Sequence, residues 1–442
     1  MFIHKTEFMI SQIIFILILG VAIFLFAKNL KKIIRNIHLG RPIDRSSNSK
    51  ERWMVMVKVA LGQSKMIKRP IAGILHVFVY IGFVIINIEV MEIMIDGIFG
   101  THRIFGGLGS LYNILIGGFE VLALLVLVAC VIFLIRRNVL RIRRFTLAEM
   151  TSWPRTDANL ILITEILLMT AFLLMNGTDL ELQSRGVAHY IQAGSFPISS
   201  SFTSLFSSMS ISSLEILERS CWWFHIIGIL AFLNYLPYSK HFHILLAFPN
   251  TYYSNLEKKG KFTDMENVSR EVKLMMDPAV VLPEPSATIP QKFGAKDVED
   301  LTWKQLMDAY SCTECGRCTS ECPANQTGKL LSPRKIMMDT RDRLEEVGKR
   351  IDQSGKDFKD EKSLFSYISE EELWACTSCN ACVQACPVNI DPLSIIIDLR
   401  RYLVMEESKV PSELAGMFTR IENNGAPWQF AQADRLKWAE NN

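Results

Sequence analysis

Long apolar stretches and short basic connections alternate along the chain up to about residue 250, after which the pattern turns polar and charged. Five apolar stretches, at 9–27, 70–95, 109–135, 158–176 and 221–247, reach or approach the roughly 20 residues that a helix needs to cross a bilayer. Buried helices of a soluble protein would not require their connections to alternate in charge, and these do. Residues 28–69 hold twelve Lys and Arg, and 136–157 hold six, all Arg. In contrast, 96–108 has only Arg103, and 177–219 only Arg185 and Arg219. The positive-inside rule then predicts a multi-pass protein of the cell inner (plasma) membrane. Its N-terminus lies outside, and both basic loops and everything after residue 247 lie in the cytoplasm. Lys28, Lys31, Lys32 and Arg35 follow the first apolar core and no small-residue cleavage site is evident, so that core is expected to stay as a span and not to leave as a signal peptide.

Composition agrees with this division. Hydrophobic residues make up 49% of the 442, and the mean hydropathy of +0.20 is high for a soluble chain of this size. The net charge of +3 gives no reason to expect a nucleic-acid partner. The expected organisation is a membrane domain over 1–247, a linker over 248–300 that is Pro-rich at 277–290, and a second domain over 301–410. The tail, 411–442, is a candidate partner-docking segment. Helices are expected ahead of the first cysteine run (LTWKQLMDAYSC), over 333–353, over 369–375 and over 392–406, two of them opening on proline.

Of the ten cysteines, Cys130 and Cys221 fall in or beside spans as small apolar fillers. The other eight form CTECGRCTSECP, from Cys312, and CTSCNACVQACP, from Cys376, both with the spacing C-x2-C-x2-C-x3-C-P. In a reducing cytoplasm metal ligation is the better reading than disulfides. This spacing is the bacterial ferredoxin run, whose fourth cysteine ligates the other cluster. A tight loop presents three thiolates to one face of a cubane, and the fourth, at the start of the next helix, points away. The pairing predicted is Cys312, Cys315, Cys318 and Cys386 for one [4Fe–4S] cluster, and Cys376, Cys379, Cys382 and Cys322 for the other. Structural zinc would need neither two matched runs nor their closing prolines. The long separation of the runs makes this a mainly α-helical dicluster domain, so the expected class is five transmembrane helices joined to a ferredoxin-type cytoplasmic domain.

Clusters beside a membrane need an electron carrier within it, and haem held by histidines of neighbouring helices is the candidate. His225 and His243 are 18 residues apart and share one face of a continuous helix, about 27 Å apart along it. His241 would lie about 200° round from His243, outside the same pocket and at the interface. His76, six residues past Pro70, suits a pairing with His243 at the cytoplasmic side. His225 has no mate within a span, and His102 and His189 read as ordinary residues of external loops. Glu89, Glu92, Glu120 and Glu165 lie inside spans or near their ends, where an ionisable group is a functional candidate by default. Glu89 and Glu120 are weak candidates for quinone or proton chemistry, with locking of helices the competing role.

The last span, with His225, Pro237, Ser239, Lys240 and His243, resembles the cytochrome b subunit of respiratory nitrate reductase and its relatives in membrane heterodisulfide-reductase-type complexes. The cysteine runs resemble the iron–sulfur subunit of heterodisulfide reductase, and the whole chain is similar to fused membrane iron–sulfur oxidoreductases of that group. The resemblance implies haem b between His76 and His243, and a second haem at His225. At the fourth ligand position, ten residues beyond His76, stands Ile86 in place of histidine. It also implies an electron-transfer subunit, not catalytic alone, that links a cytoplasmic redox subunit, two clusters, haem b and the quinone pool. Many members continue into a cysteine-rich CCG domain, which this chain lacks, so a separate subunit bearing CCG motifs is expected. A haem-free anchor carrying the clusters for a soluble partner is the alternative. A transporter would be expected to show an inverted repeat, and none is evident.

Overall fold

The computed structural model describes residues 2–277, 279–281, 292–355, 358 and 360–440; most of the Pro-rich stretch expected at 277–290 lies outside them. Among the described residues there is no strand, only a single bridge between Arg41 and Thr302. Five of the described helices are long and apolar enough to cross a membrane: Met9–Ile37, Pro70–Phe99, Ser110–Val139, Trp153–Ser184 and Ile211–Tyr238. Phe15, Ile116, Phe119, Phe172, Trp222 and Ile226 fill the centre of this bundle, while Leu17, Phe24 and Ile114 face outward, as a lipid-facing surface requires. Small residues let the helices approach closely. A Cβ at Gly82 would lie 2.4 Å from Val126 Cγ2 on the third span, and one at Gly228 would lie 2.6 Å from Leu168 Cδ2 on the fourth.

Three spans differ markedly from their expected limits, the first running on from 27 to Ile37. The fourth runs on to Ser184, past Asp179, because the Asp179 carboxylate is neutralised by Arg103, which donates to it at 2.6 Å. The fifth begins ten residues before Cys221, at Ile211, capped by the Ser210 hydroxyl, which accepts from the Ser213 amide at 3.2 Å. Its early turns carry Glu218, buried and bonded by the Tyr190 hydroxyl at 3.0 Å, so a charge that reads as an apolar break is an interior contact. At the other end the fifth helix stops at Tyr235 and does not run to 247. Two 3₁₀ turns, Leu236–Tyr238 and Lys240–Phe242, follow before a new helix, His243–Tyr252. Pro237 removes a backbone donor here. Asp157 of the fourth span holds the break, accepting from the Ser239 hydroxyl at 2.7 Å, from the Lys240 amide at 3.1 Å and from the Tyr235 hydroxyl.

The cysteine-rich part is built on the helices Trp303–Ser311, Pro333–Ser354 and Pro392–Met405, the first with a capping box between Thr302 and Gln305. Its core is continuous with the membrane part: Ile33, Ile37, Leu236 and Phe242 pack in one cluster with Leu306, Ile336 and Ile396. The helix His243–Tyr252, at the start of the stretch expected to be a linker, joins this seam, with Asn250 donating to the Val388 carbonyl at 2.9 Å. Both basic loops dock here too. Arg317 donates to the carbonyls of Lys65 and Met66 of the first at 3.0 and 3.1 Å, and Arg334 to the Arg144 carbonyl of the second, while Lys240, just past the fifth span, pairs with Glu314.

Arg334, fully buried, crosses the seam to Glu149 at 2.7 Å and to the Arg144 carbonyl at 2.6 Å. Burial works against ionisation of Glu149, yet Ser332 and Arg334 hold its carboxyl below the usual range. Replacing Arg334 by methionine strands that carboxylate, which costs roughly 3–5 kcal/mol when one partner of a buried pair is removed. Hydrogen exchange over residues 143–150 is expected to accelerate while exchange in the helix Pro392–Met405 stays as it was.

Candidate electron-transfer site

The two cysteine runs fold into the same loop twice. In the first, Glu314 (φ 54°) and Gly316 (φ 69°) are left-handed; in the second, Ser378 (φ 56°) and Asn380 (φ 59°) occupy the same offsets. Asparagine tolerates this conformation better than most residues, so Asn380 can stand where the first loop has glycine. Gly316 has a further reason: a Cβ there would lie 2.5 Å from Arg334 Nη1. Short helices, Arg317–Ser320 and Ala381–Ala385, follow the loops, carry Cys318 and Cys382, and pack against each other. This crossing brings Cys386 into the electrostatic environment of Cys312 and Cys315, and Cys322 into that of Cys376 and Cys382. Backbone amides donate to two of the sulfurs, Ile390 to Cys386 at 3.3 Å and Ser378 to Cys376 at 3.4 Å, the kind of bond that tunes cluster potentials. Among the described residues, no three Cys, His, Asp or Glu side chains converge on a single-ion site. Each group has two buried cysteines, Cys312 and Cys386 in one and Cys322 and Cys382 in the other; they differ in that Cys379 of the second is exposed.

A cavity of about 430 Å³ opens between the second to fifth spans and the first cysteine loop. Its wall includes His76, His225, His241 and His243, and also Glu314, Cys315 and Arg317 of the cysteine-rich part. The rings of His76 and His243 lie 6.5 Å apart, centre to centre, with their planes tilted by 43°. A metal held by two imidazole nitrogens at about 2 Å each separates the ring centres by about 6 Å, so the pair fits a six-coordinate haem iron. The Nδ1 of His243 lies 3.1 Å from the Lys240 carbonyl, and that of His225 lies 3.0 Å from the Leu168 carbonyl. Such a bond fixes the tautomer and leaves Nε2 as the ligating atom. His76 Nδ1 is buried with no hydrogen-bond partner.

His241 corrects an expectation. It lines the same cavity, its ring centre 5.5 Å from that of His243, although helical arithmetic put it on another face. The arithmetic assumes one continuous helix, and the turns at Pro237 reset the phase. Ile86 lines the cavity with His225, so the second span offers it an apolar group. Among the described residues, Glu165 is the one carboxylate of the membrane spans in this wall.

Glu89 and Glu120 are brought elsewhere, and differently. All of Glu120 is engaged: it accepts from Asn176 at 3.2 Å, from the amides of Ile198 and Ser199 at 2.8 and 3.1 Å, and from the Ser199 hydroxyl. That is the geometry of a lock between the third and fourth spans and the loop after them. Glu89 is buried with one oxygen unpartnered and Arg103 3.9 Å from the other. It lines a small cleft at the end of the bundle away from the cysteines. His102 and His189, expected to be ordinary loop residues, meet in this cleft with ring centres 5.4 Å apart, and His102 Nε2 lies 3.3 Å from Asp179. Asp157, Asp179 and Arg103 carried no motif; only their position beside apolar runs could have singled them out.

The 4Fe-4S dicluster domain family matches residues 311–390. Over 97% of its length the chain is 29% identical to the probable iron-sulfur-binding oxidoreductase FadF of Bacillus subtilis, covering 61% of that protein. Over 96% it is 25% identical to the EtfAB:quinone oxidoreductase of Syntrophomonas wolfei, covering 59%. One polypeptide of the ferredoxin/F(420)H(2)-dependent CoB-CoM heterodisulfide reductase of Methanosarcina acetivorans is 32% identical over 24% of this chain and 52% of its own length. The chain thus spans about three fifths of the two relatives that it matches nearly end to end. No solved structure matches. With five helices long and apolar enough to cross a membrane and its paired cysteine loops, the chain is similar along nearly its whole length to an iron–sulfur-binding oxidoreductase and, in its cysteine-rich part, to heterodisulfide reductase.

Proposed function

We propose that this oxidoreductase passes electrons between a cytoplasmic redox subunit, two [4Fe–4S] clusters, haem b and the membrane quinone pool. The observation that supports it is a single cavity lined both by histidines of the membrane bundle and by Cys315 of the first cysteine loop. Cys312, Cys315, Cys318 and Cys386 would hold the cluster nearer the membrane, and Cys376, Cys379, Cys382 and Cys322 the cluster nearer solvent. The exposed Cys379 makes the second group the natural point of exchange with the partner. His76 and His243 would hold haem b, which supplies a one-electron carrier between the clusters and a two-electron quinone. His225 is the candidate for a second haem.

The remaining residues of the site position and shield. Asp157 fixes the turn that presents His243, and the pair of Lys240 with Glu314 ties that turn to the cluster loop. Burial opposes ionisation of Glu314, but Arg341 and Lys240 keep its carboxyl below the usual range. The orientation proposed has the basic loops and clusters in the cytoplasm and the N-terminus outside; the docking of both basic loops on the cysteine-rich part supports it. The partner proposed is a subunit with CCG cysteine motifs, in keeping with the heterodisulfide reductase likeness.

Purified in detergent and reduced with dithionite under argon, the protein is expected to give a b-type optical band and about eight iron atoms in clusters per chain. Added oxidised quinone should reoxidise the band. Clusters without any b-type band would overturn the haem reading in favour of a haem-free anchor. A band that quinone leaves reduced would overturn the link to the pool.

A further inference from the structure

The cavity is apolar along most of its wall but not at the end facing the cysteines, where Arg137 and Arg144 stand. Each guanidinium lies over Phe145, at 5.0 and 4.8 Å from the ring centre, so the two share one aromatic ring. The Nε of each is buried and without a hydrogen-bond partner, as is that of Arg334, whose Nη atoms however pair with Glu149 and the Arg144 carbonyl. Other cations at this seam are engaged: Lys240 with Glu314, Arg334 with Glu149, and Arg317 with backbone carbonyls. Among the described residues no carboxylate lies within ion-pair distance of Arg137 or Arg144; Arg137 has only the Pro154 carbonyl, at 3.1 Å. Burial first of all pushes Arg144 down to about 10. Shielded guanidinium donors are stable when an anion meets them, and their planar fork suits a carboxylate.

We propose that Arg137 and Arg144 form a carboxylate-binding pair that takes the two propionates of the haem held by His76 and His243; this rests on the haem reading above. The site fits the occupant on three counts. It lies in the same cavity as the two histidines, at its polar end, and it presents two positive charges to a ligand with two negative ones. Arg144 also lies against the first cysteine loop, its Cβ 3.3 Å from where a Cβ on Gly316 would stand, so its charge would favour reduction of the nearer cluster as well.

The test titrates the full chain, produced in a haem-deficient host, with haem and with haem dimethyl ester, which keeps the iron and ring but carries no carboxylate charge. The wild-type chain is expected to bind haem roughly tenfold more tightly than the ester, since a charge-assisted hydrogen bond is worth about that factor or more. R137Q/R144Q should bind both equally, at the ester's affinity, and its haem b should have a lower midpoint potential. Cluster iron, unchanged, reports that the variant is folded. If wild-type protein binds haem and ester equally, the pair does not read propionates and only this inference fails, the haem reading surviving. If no haem binds, both fail. A preference for phosphatidylglycerol over phosphatidylcholine vesicles in thermal stability, lost in R137Q/R144Q while haem and ester bind alike, would assign the pair to a lipid phosphate and overturn the proposal. Should the double variant fold poorly, the wild-type comparison of haem with ester decides alone.

Discussion

A Cys386→Ser variant is expected to lose the cluster of the first cysteine loop, although Cys386 closes the second run, 64 residues after Cys322 closes the first. Cluster iron should fall from about eight to about four atoms per chain, because Cys312, Cys315 and Cys318 alone leave one iron of the cubane without its thiolate. The argument is one of pairing. The short helices after the two loops pack together, and this delivers Cys386 to the side of Cys312 and Cys315. Combined substitutions separate this from local pairing. Cys312→Ser with Cys386→Ser should cost no more iron than either alone, since both remove the same cluster. Cys376→Ser with Cys386→Ser should remove both clusters. If each run held its own cluster the two results would exchange, and the crossed assignment would be wrong. Cys130→Ser, in the centre of the third span, serves as the control and should leave iron unchanged.

Much of this could be read from the chain, and what could not has definite physical causes. Five apolar runs announce five spans because the hydrocarbon demands uninterrupted apolarity. Their ends are hidden because Asp179 and Glu218 look like exits to water but are satisfied inside the bundle, by Arg103 and by Tyr190. The cysteine runs are legible as one loop used twice, since a fixed spacing around a rigid cluster leaves the backbone few choices, but their left-handed residues come only with the structure. The seam is not legible: Lys240 meets Glu314 across 74 residues, and Arg334 meets Glu149 across 185. No periodicity encodes such partners. The phase of His241 is lost for a related reason, because a rule of 100° per residue holds only until the helix breaks. Pro237 signals a break; the side chain that shapes it, Asp157, lies on a different span.

His243→Ala should abolish the b-type band assigned to the His76 pair while leaving cluster iron at about eight atoms per chain. Electron transfer from reduced clusters to quinone should fall by more than about 100-fold, since even outer-sphere partners of a metal ligand are worth 10–100-fold. Asp157→Asn tests that outer sphere directly. It keeps the size of the side chain but weakens the bonds to Ser239, Lys240 and Tyr235 that set the turn, and a loss of about tenfold in haem affinity is expected. His241→Ala is the decisive comparison, because His241 sits in the same cavity with its ring 5.5 Å from that of His243. His243 has its Nδ1 fixed by the Lys240 carbonyl at 3.1 Å and lies from His76 at the separation a shared iron requires. His241 packs against the edge of His243 with the rings at 90°, an aromatic contact. His241→Ala should therefore keep the band and shift it only slightly. If His241→Ala removes the band and His243→Ala does not, the ligand pair is His76 with His241, and the turn held by Asp157 serves to present that ring instead.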